Sequence, residues 1–418
     1  MRFWGCFLPL LFLSSSGLCQ RLTPLALPPD WNRLDQFQET ITHDEFVSLL
    51  DLVYAPESEA PWITVEPEQA VIQKNATDRF LLRFAPDIHS RKPLTRYWSI
   101  NLVNPTADKP LCGLRIALDP GHLGGAWAKM EERWFQIGAL PPITEGDMTL
   151  RVARLLARRL RVLGAKVDLV RSKPGPVTSL RPNRLQSQAQ ASLQNRGVTQ
   201  PLPTYSGPTD PNRERAIPWE AERLFYRVAE IRERARIVND KLKPDLTICL
   251  HFNAEPWDDP LHPTLGTKNH LHLLVNGAYS KMELGYDDVR FTMLIKLLNR
   301  AYDEELPISE SVAQSLAEAT GLPPYSYYSS PNAKQVGKTG YVWARNLLAN
   351  RLYECPVIYI ESYVMNSKEV FARVQAGAYD GVRDFGGVMR KNIYVEYADA
   401  VATGLVRHFR VQSYTMER

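Results

Sequence analysis

The segment EGDMTLRVARLLARRLRVLGAKVDLVR, residues 145–171, decides the fold class of this chain. Its first part predicts a helix over residues 147–163, because leucines recur at spacings of about 3.6 residues and Gly164 can end the helix. Residues 166–170 follow as a predicted strand. A helix that leads directly into a strand is typical of a layered α/β domain.

The same alternation of strands and helices continues on both sides of this segment. The predicted strands cover residues 114–118, 245–251, 271–275 and 356–361, and the predicted helices cover residues 219–241, 287–306, 309–320 and 392–409. We therefore expect residues 111–418 to form an α/β domain whose mostly parallel central sheet is flanked by helices. Residues 172–217 are rich in Pro, Gln, Ser and Arg, which predicts a long and partly disordered insertion in that domain.

Residues 20–110 predict a separate, small α+β domain of unknown role. Thr42 can cap a helix over residues 43–54. Short β-like stretches follow at residues 62–65, 80–84 and 97–103. No residue pattern in this part of the chain indicates a chemical activity.

The first nineteen residues predict a cleavable signal peptide. Arg2 precedes an apolar run over residues 3–13, and small residues follow at 14–17. This run is too short to span a bilayer, and no other stretch reaches the roughly 18 apolar residues of a membrane span. Cleavage after Cys19 would leave Gln20 as the mature start in the periplasm or outside the cell. Attachment of a lipid to Cys19 is the alternative, which Leu18 disfavours because that signal has a small residue there.

Composition and charge narrow the class of protein further. The chain has 418 residues, 44% of them hydrophobic, and a formal net charge of +4. These proportions are those of globular proteins, and the absence of a long basic block argues against nucleic-acid binding. Signal-peptide cleavage would leave Cys112, Cys249 and Cys355, whose spacing matches no zinc-cluster pattern. They are interpreted as small apolar residues, and one disulfide stays open as an alternative.

Residues that can bind a metal or move protons follow several predicted strands. His122, His251 and Glu361 each follow or end a strand, and Glu145 lies just before the helix at 147. The carboxyl ends of parallel strands meet at one edge of a sheet, so we expect these side chains to converge. Two imidazoles and a carboxylate are a common ligand set for catalytic zinc, and a further carboxylate can transfer protons. The residue types thus suggest a zinc hydrolase, although a histidine at a strand end is more often structural.

Four motifs in order resemble the zinc-dependent N-acetylmuramoyl-L-alanine amidases, which cut bacterial peptidoglycan. They are RIALDPGHLGG at 115–125, the segment at 145–171 quoted above, RARIVNDKLKPDLTICLHFNA at 234–254 and PVIYIESYVMN at 356–366. The resemblance spans about residues 111–412. It implies one Zn²⁺ per chain, held by His122, Glu145 and His251, with Glu361 as the catalytic carboxylate. It also implies hydrolysis of the amide bond between N-acetylmuramic acid and L-alanine, with peptidoglycan as the substrate.

The chain carries two insertions relative to the family pattern. The gap between His122 and Glu145 is longer than usual, and Glu131 or Glu132 within it could replace Glu145. The insertion at 172–217 lies where some members carry a helix that covers the zinc, although its composition favours a mobile loop. An activator or divisome protein is a further expected partner, for which residues 20–110 could serve as a targeting unit.

Three residues are weaker candidates for contacting substrate. Arg171 could bind a peptide carboxylate or form a structural ion pair, and Asn253 could bind glycan or orient the site. His272, or its neighbour His270, could line the cleft because alternate residues of a strand point the same way. Two other functions stay open: a module that binds peptidoglycan or a protein without cutting, and a zinc amidohydrolase for another acyl–amino-acid bond. The sequence does not predict an oligomeric state.

Overall fold

The computed structural model describes residues 21–56, 62–100, 102, 104–259, 262–327, 330 and 332–416. The expected signal peptide lies outside these residues. The strands are β1 Ile63–Val65, β2 Gln69–Gln73, β3 Arg79–Arg83, β4 Arg115–Pro120, β5 Trp134–Phe135, β6 Ile143–Thr144, β7 Lys166–Leu169, β8 Leu246–Asn253, β9 Leu271–Val275, β10 Lys334–Gln335, β11 Val342–Ala344, β12 Val357–Val364, β13 Val382–Asp384 and β14 Met389–Lys391. The α-helices are α1 His43–Leu49, α2 Trp127–Met130, α3 Glu145–Val162, α4 Gln186–Asn195, α5 Ile217–Arg223, α6 Glu230–Arg236, α7 Lys281–Leu284, α8 Asp287–Leu298, α9 Tyr302–Thr320, α10 Leu348–Leu352, α11 Lys368–Gln375 and α12 Ile393–Met416.

A central sheet organises the described part of the chain, with strand order β10-β11-β9-β12-β8-β4-β7. Strands β7, β4, β8 and β12 run parallel to their neighbours in that order. Strand β9 pairs antiparallel with β12 and parallel with β11. The prediction of an α/β domain with a mostly parallel sheet between helices is confirmed.

The two faces of the sheet are covered by different helices, which explains why the central strands are apolar on both sides. Ile248 and Leu250 of β8 join a core with residues of α3, α9 and α12. Cys249, between them, faces a second core with α6 and α10. Helices α5 and α6 belong to one longer helical stretch that runs from Ile217 to Leu242 through two π-helical segments. His251 shares the face of Cys249, so the candidate site lies on the side of this long helix.

Residues 21–100 pack onto this sheet domain through a shared core. Thr42 caps α1 as predicted, and the antiparallel sheet β1-β2-β3 follows. Val53 accepts a hydrogen bond from the backbone of Ala278, and Arg290 donates to the carbonyl of Gln73. A role for this unit stays a prediction.

The expected strand at 97–103 is wrong for its described residues. Trp98 is buried beneath the guanidinium of Arg96, at 3.6 Å from the ring centre, and the Ser99 N–H donates to Asp245. This segment therefore uses its apolar residue to cover the second core and does not pair with a strand.

The break between α8 and α9 also differs from the prediction. Sequence analysis places it near Pro307, but α9 continues through Pro307 and the break lies at residues 299–301. Arg300 adopts a left-handed conformation with φ 56°, which ends the first helix.

The insertion at 172–217 is ordered, in contrast to the expectation of partial disorder. It carries helix α4, whose Ala189 and Leu193 are buried together with Leu185 against Leu224 and Phe225 of the long helix. The low overall hydropathy of the segment hides these few apolar residues, which suffice to anchor it.

Candidate metal centre

The candidate metal centre lies at the carboxyl ends of β4, β8 and β12. His251 on β8 and Glu361 on β12 are register partners, so their side chains are neighbours on one face of the sheet. His122 follows the end of β4, and Glu145 is the first residue of α3. The structure thus brings together the three residues expected to bind zinc and the residue expected to catalyse.

Three ligand atoms converge at this point. Nε2 of His122 lies 3.3 Å from Oε2 of Glu145, and Nδ1 of His251 lies 3.3 Å from Oε1 of the same carboxylate. One ligand atom from each of the three residues lies within 4.8 Å of the others. Ligands of a tetrahedral zinc with bonds of about 2.1 Å lie roughly 3.4 Å apart. The two distances of 3.3 Å from the histidines to Glu145 match this spacing, and two imidazoles with a carboxylate are a donor set that zinc uses.

Local backbone geometry brings the two histidines together. His122 has a left-handed φ of 58°, which turns the chain sharply after β4. A Cβ at Gly121 would lie 2.1 Å from the ring of His251, so only glycine fits between the two strands. Arg234 supports this turn, because it pairs with Asp119 at 2.9 Å and donates to the carbonyl of His122.

Glu131 contacts His122 on the side away from Glu145. Its carboxylate lies 2.7 Å from Nδ1 of His122 and accepts the N–H of Leu123 at 2.6 Å. A carboxylate on the second ring nitrogen of a ligating histidine fixes the tautomer and the ring orientation. Glu132 instead pairs with Arg213 at 3.0 Å. These positions favour Glu145 as the third ligand and give Glu131 a supporting role that sequence analysis did not find.

We expect Glu131→Gln to weaken zinc binding by about 10- to 100-fold, because the negative charge behind His122 is lost. Competition with a chromogenic chelator measures this affinity directly. Glu132→Gln is the matched control, since it removes a neighbouring carboxylate whose one ion pair among the described residues is with Arg213. Equal zinc affinity in the two variants would contradict the role of Glu131.

Glu361 lines a cavity of about 400 Å³ together with both histidines. Burial raises the pKa of Glu361 to about 7, with Glu145 adding to the shift and His251, Arg133 and Arg345 opposing it. A cation held between the ligands would pull this pKa down. The cation thus favours the ionised form of Glu361, which is the form that can accept a proton.

The three weaker candidates lie in different surroundings. Arg171 is fully buried and donates to backbone carbonyls of Pro120, Gly121 and Gly146. This placement shows a structural role in the turn after β4 and gives substrate contact no support. Asn253 is half-buried at the end of β8, where its side chain accepts the N–H of Ala254.

His272 lies beside Glu361 in the central sheet. It is the antiparallel register partner of Glu361, and only 2% of its surface is exposed. Burial lowers the pKa of His272 to about 3, and His270 and Arg345 add to this shift. The ring is therefore neutral beside Glu361.

Arginines that line the cavity were missed by the sequence analysis. Arg133 lies 3.7 Å from Glu145, and Arg227 and Arg345 line the same cavity. Arg133 directly precedes the short strand β5, and Arg345 directly follows the short strand β11. Arg227 is one of many charged residues on its helix, so the sequence spacing does not mark any of the three as a site residue.

The insertion at 172–217 lies beside the cavity but does not line it, as far as its described residues show. Arg181 lies over the ring of Trp127, and Arg213 pairs with Glu132. This placement does not support the idea that the insertion covers the metal centre.

Comparison with known proteins identifies structural neighbours. No protein-family model matches the chain, and no curated protein matches it. Solved structures that are similar to it include N-acetylmuramyl-L-alanine amidase Ami1 from Mycobacterium abscessus, at 17% identity and a TM-score of 0.37, over 71% of this chain and 99% of that one. AmiC2 of Nostoc punctiforme, an N-acetylmuramoyl-L-alanine amidase, is 13% identical with a TM-score of 0.37. The match covers 72% of this chain and 99% of AmiC2.

A further neighbour is the CwlD amidase from Clostridioides difficile, solved in complex with the GerS lipoprotein. It is 12% identical with a TM-score of 0.38, over 72% of this chain and all of that one. All three of these solved structures are of amidases. Among the described residues, no helix is both long and apolar enough to cross a membrane.

Proposed function

We propose that this chain is a zinc-dependent N-acetylmuramoyl-L-alanine amidase that hydrolyses the amide between N-acetylmuramic acid and L-alanine in peptidoglycan. The observation that carries the proposal is the convergence of His122, Glu145 and His251 within 4.8 Å, beside Glu361 on the same sheet face. The order of the four sequence motifs supports it. A module that only binds would not need this proton-transferring carboxylate next to a complete ligand set.

The residues of the site divide into two roles. His122, Glu145 and His251 would hold one Zn²⁺, which when bound lowers the pKa of a water and polarises a carbonyl. Glu361 accepts a proton from the attacking water and returns it to the α-amine of L-alanine as the C–N bond breaks. The products are a lactyl carboxylate on the sugar and a peptide with a free N-terminal L-alanine.

The proposal is tested by incubating the purified protein with peptidoglycan, with and without a chelator. We expect new N-terminal L-alanine to form, formation to stop with the chelator, and formation to resume when zinc is added back. Zinc-loaded protein that exposes no N-terminal L-alanine would contradict the proposal. A new amine on another residue would favour an amidohydrolase for a different acyl–amino-acid bond.

We further propose that the protein acts in the periplasm or outside the cell, after cleavage of residues 1–19. The apolar run at residues 3–13 supports this location. We also propose that residues 20–110 form a targeting unit, and that residues 111–418 are the catalytic domain. N-terminal sequencing of the exported protein should begin at Gln20, and a start at Met1 would contradict cleavage.

A further inference from the structure

His272, Tyr327 and Arg345 form a chain of hydrogen bonds next to Glu361, and the proposed function gives none of the three a role. It starts at His272 on β9, which shares a sheet face with Glu361 as its register partner. The Tyr327 hydroxyl lies 2.8 Å from Nε2 of His272 and accepts from Nη1 of Arg345 at 3.1 Å. Arg345 lines the same cavity as Glu361. The hydroxyl is therefore held between a residue of the cavity wall, Arg345, and the sheet neighbour of Glu361, His272.

The positions of the protons in this chain follow from what each group can donate. Arg345 carries only donors, so the Tyr327 oxygen must accept from it. Nδ1 of His272 is buried and finds no hydrogen-bond partner in the part of the chain that the structure describes. A buried N–H without a partner is rarer than a buried acceptor without one. The ring proton therefore belongs on Nε2, and His272 donates to the Tyr327 oxygen.

The neighbouring His270 shows the same arrangement. Its Nε2 lies 2.9 Å from Oε1 of Glu255, and an ionised carboxylate can only accept. Its Nδ1 is also buried without a hydrogen-bond partner among the described residues. A histidine that donates through Nε2 and leaves Nδ1 unpaired is thus found twice on this strand face.

We propose that the Tyr327 hydroxyl is a further catalytic group, which donates a hydrogen bond to the oxygen of the scissile carbonyl as negative charge develops there. The inference rests on the proposed function. Since His272 and Arg345 both donate to the phenol oxygen, its single proton is left for the substrate. Two donors on the oxygen also strengthen the O–H as a donor. His272 and Arg345 are positioning residues.

The surroundings of Tyr327 keep this donor protonated. Burial raises the pKa of Tyr327 to about 12, the charge of Arg345 lowers it and the charge of Glu361 raises it. A protonated hydroxyl fixed before the substrate arrives is the arrangement that stabilises an oxyanion.

Tyr327→Phe tests the inference, because it keeps the ring and removes only the hydroxyl. On a soluble muropeptide, we expect kcat of the zinc-loaded variant to fall by about 10²–10³-fold. KM and the zinc content should stay near the wild-type values, which a merely structural role would not predict. Tyr325→Phe is the matched control, since its ring packs between His270 and His272 at 4.6 and 5.0 Å. Equal kcat in both variants, or a change confined to KM, would overturn the inference.

Nitrogen-15 NMR of the histidine rings provides a readout that does not depend on activity. The His272 signals, identified by their loss in His272→Gln, should report a proton on Nε2. A proton on Nδ1 would overturn the inference, because Tyr327 would then have to donate to His272. Wild-type protein that binds zinc without cleaving would overturn the proposed function and this inference with it. Active wild type with an equally active Tyr327→Phe variant would overturn the inference alone.

Discussion

Replacing Glu361 by Gln should lower the rate at which N-terminal L-alanine is exposed by about 10²–10⁴-fold, the range expected for loss of a general acid–base. Glutamine has nearly the same shape as glutamate, but its amide cannot take a proton from water or return one to the leaving amine. The structure places this carboxylate next to His251 on the sheet and in the wall of the same cavity.

The Glu361→Gln experiment requires kcat and zinc content from the same preparation. Zinc per chain should equal that of the wild type, because Glu361 is not one of the three converging ligands. Glu255→Gln is the matched control, since Glu255 is a carboxylate at the same end of the sheet that pairs with His270 and Lys268 outside the cavity. Turnover within about threefold of wild type in Glu361→Gln would remove Glu361 from the mechanism.

Replacing His251 by Ala should remove both zinc and activity. Two ligands would remain where a catalytic zinc site uses three, so the zinc content of the dialysed protein should fall well below one per chain. The loss of a metal that supplies several kcal/mol of transition-state stabilisation predicts a rate decrease on the order of 10³-fold or more. Zinc measured by plasma mass spectrometry, together with the rate at which N-terminal L-alanine is exposed, checks both expectations.

His262→Ala is the control for this variant. His262 is exposed and pairs only with Asp259 among the ion pairs of the described residues, so zinc and rate should remain those of the wild type. Thermal unfolding of both variants separates loss of metal from loss of fold. A folded His251→Ala protein that still holds one zinc and still cleaves would contradict the ligand assignment.

The parts of the site at the ends of parallel strands could be predicted from the sequence. β8 and β12 are continuous apolar runs, and each carries a polar residue near its carboxyl end. Parallel pairing then brings His251 and Glu361 side by side, as the register shows. The strand that ends before His122 follows the same rule, because β4 pairs with β8 in parallel.

The supporting residues could not be predicted, because their positions depend on long-range packing. Glu131 lies in a short irregular stretch after α2, and nothing in the spacing distinguishes it from Glu132. The placement of His272 opposite Glu361 requires β9 to run antiparallel to β12, and an apolar strand pattern does not encode strand direction. Tyr327 lies in a loop, where neither the helical nor the strand periodicity of apolar residues predicts the position of a side chain.

The most direct test of the proposed activity is cleavage of peptidoglycan in water enriched in oxygen-18. Hydrolysis of the amide between N-acetylmuramic acid and L-alanine predicts one heavy oxygen on the lactyl carboxylate of the sugar and a free amine on L-alanine. Mass spectrometry of the separated glycan and peptide products detects both. A label on a peptide carboxylate or on a sugar hydroxyl would contradict the account. Peptidoglycan that stays uncleaved after incubation with zinc-loaded protein would contradict it as well.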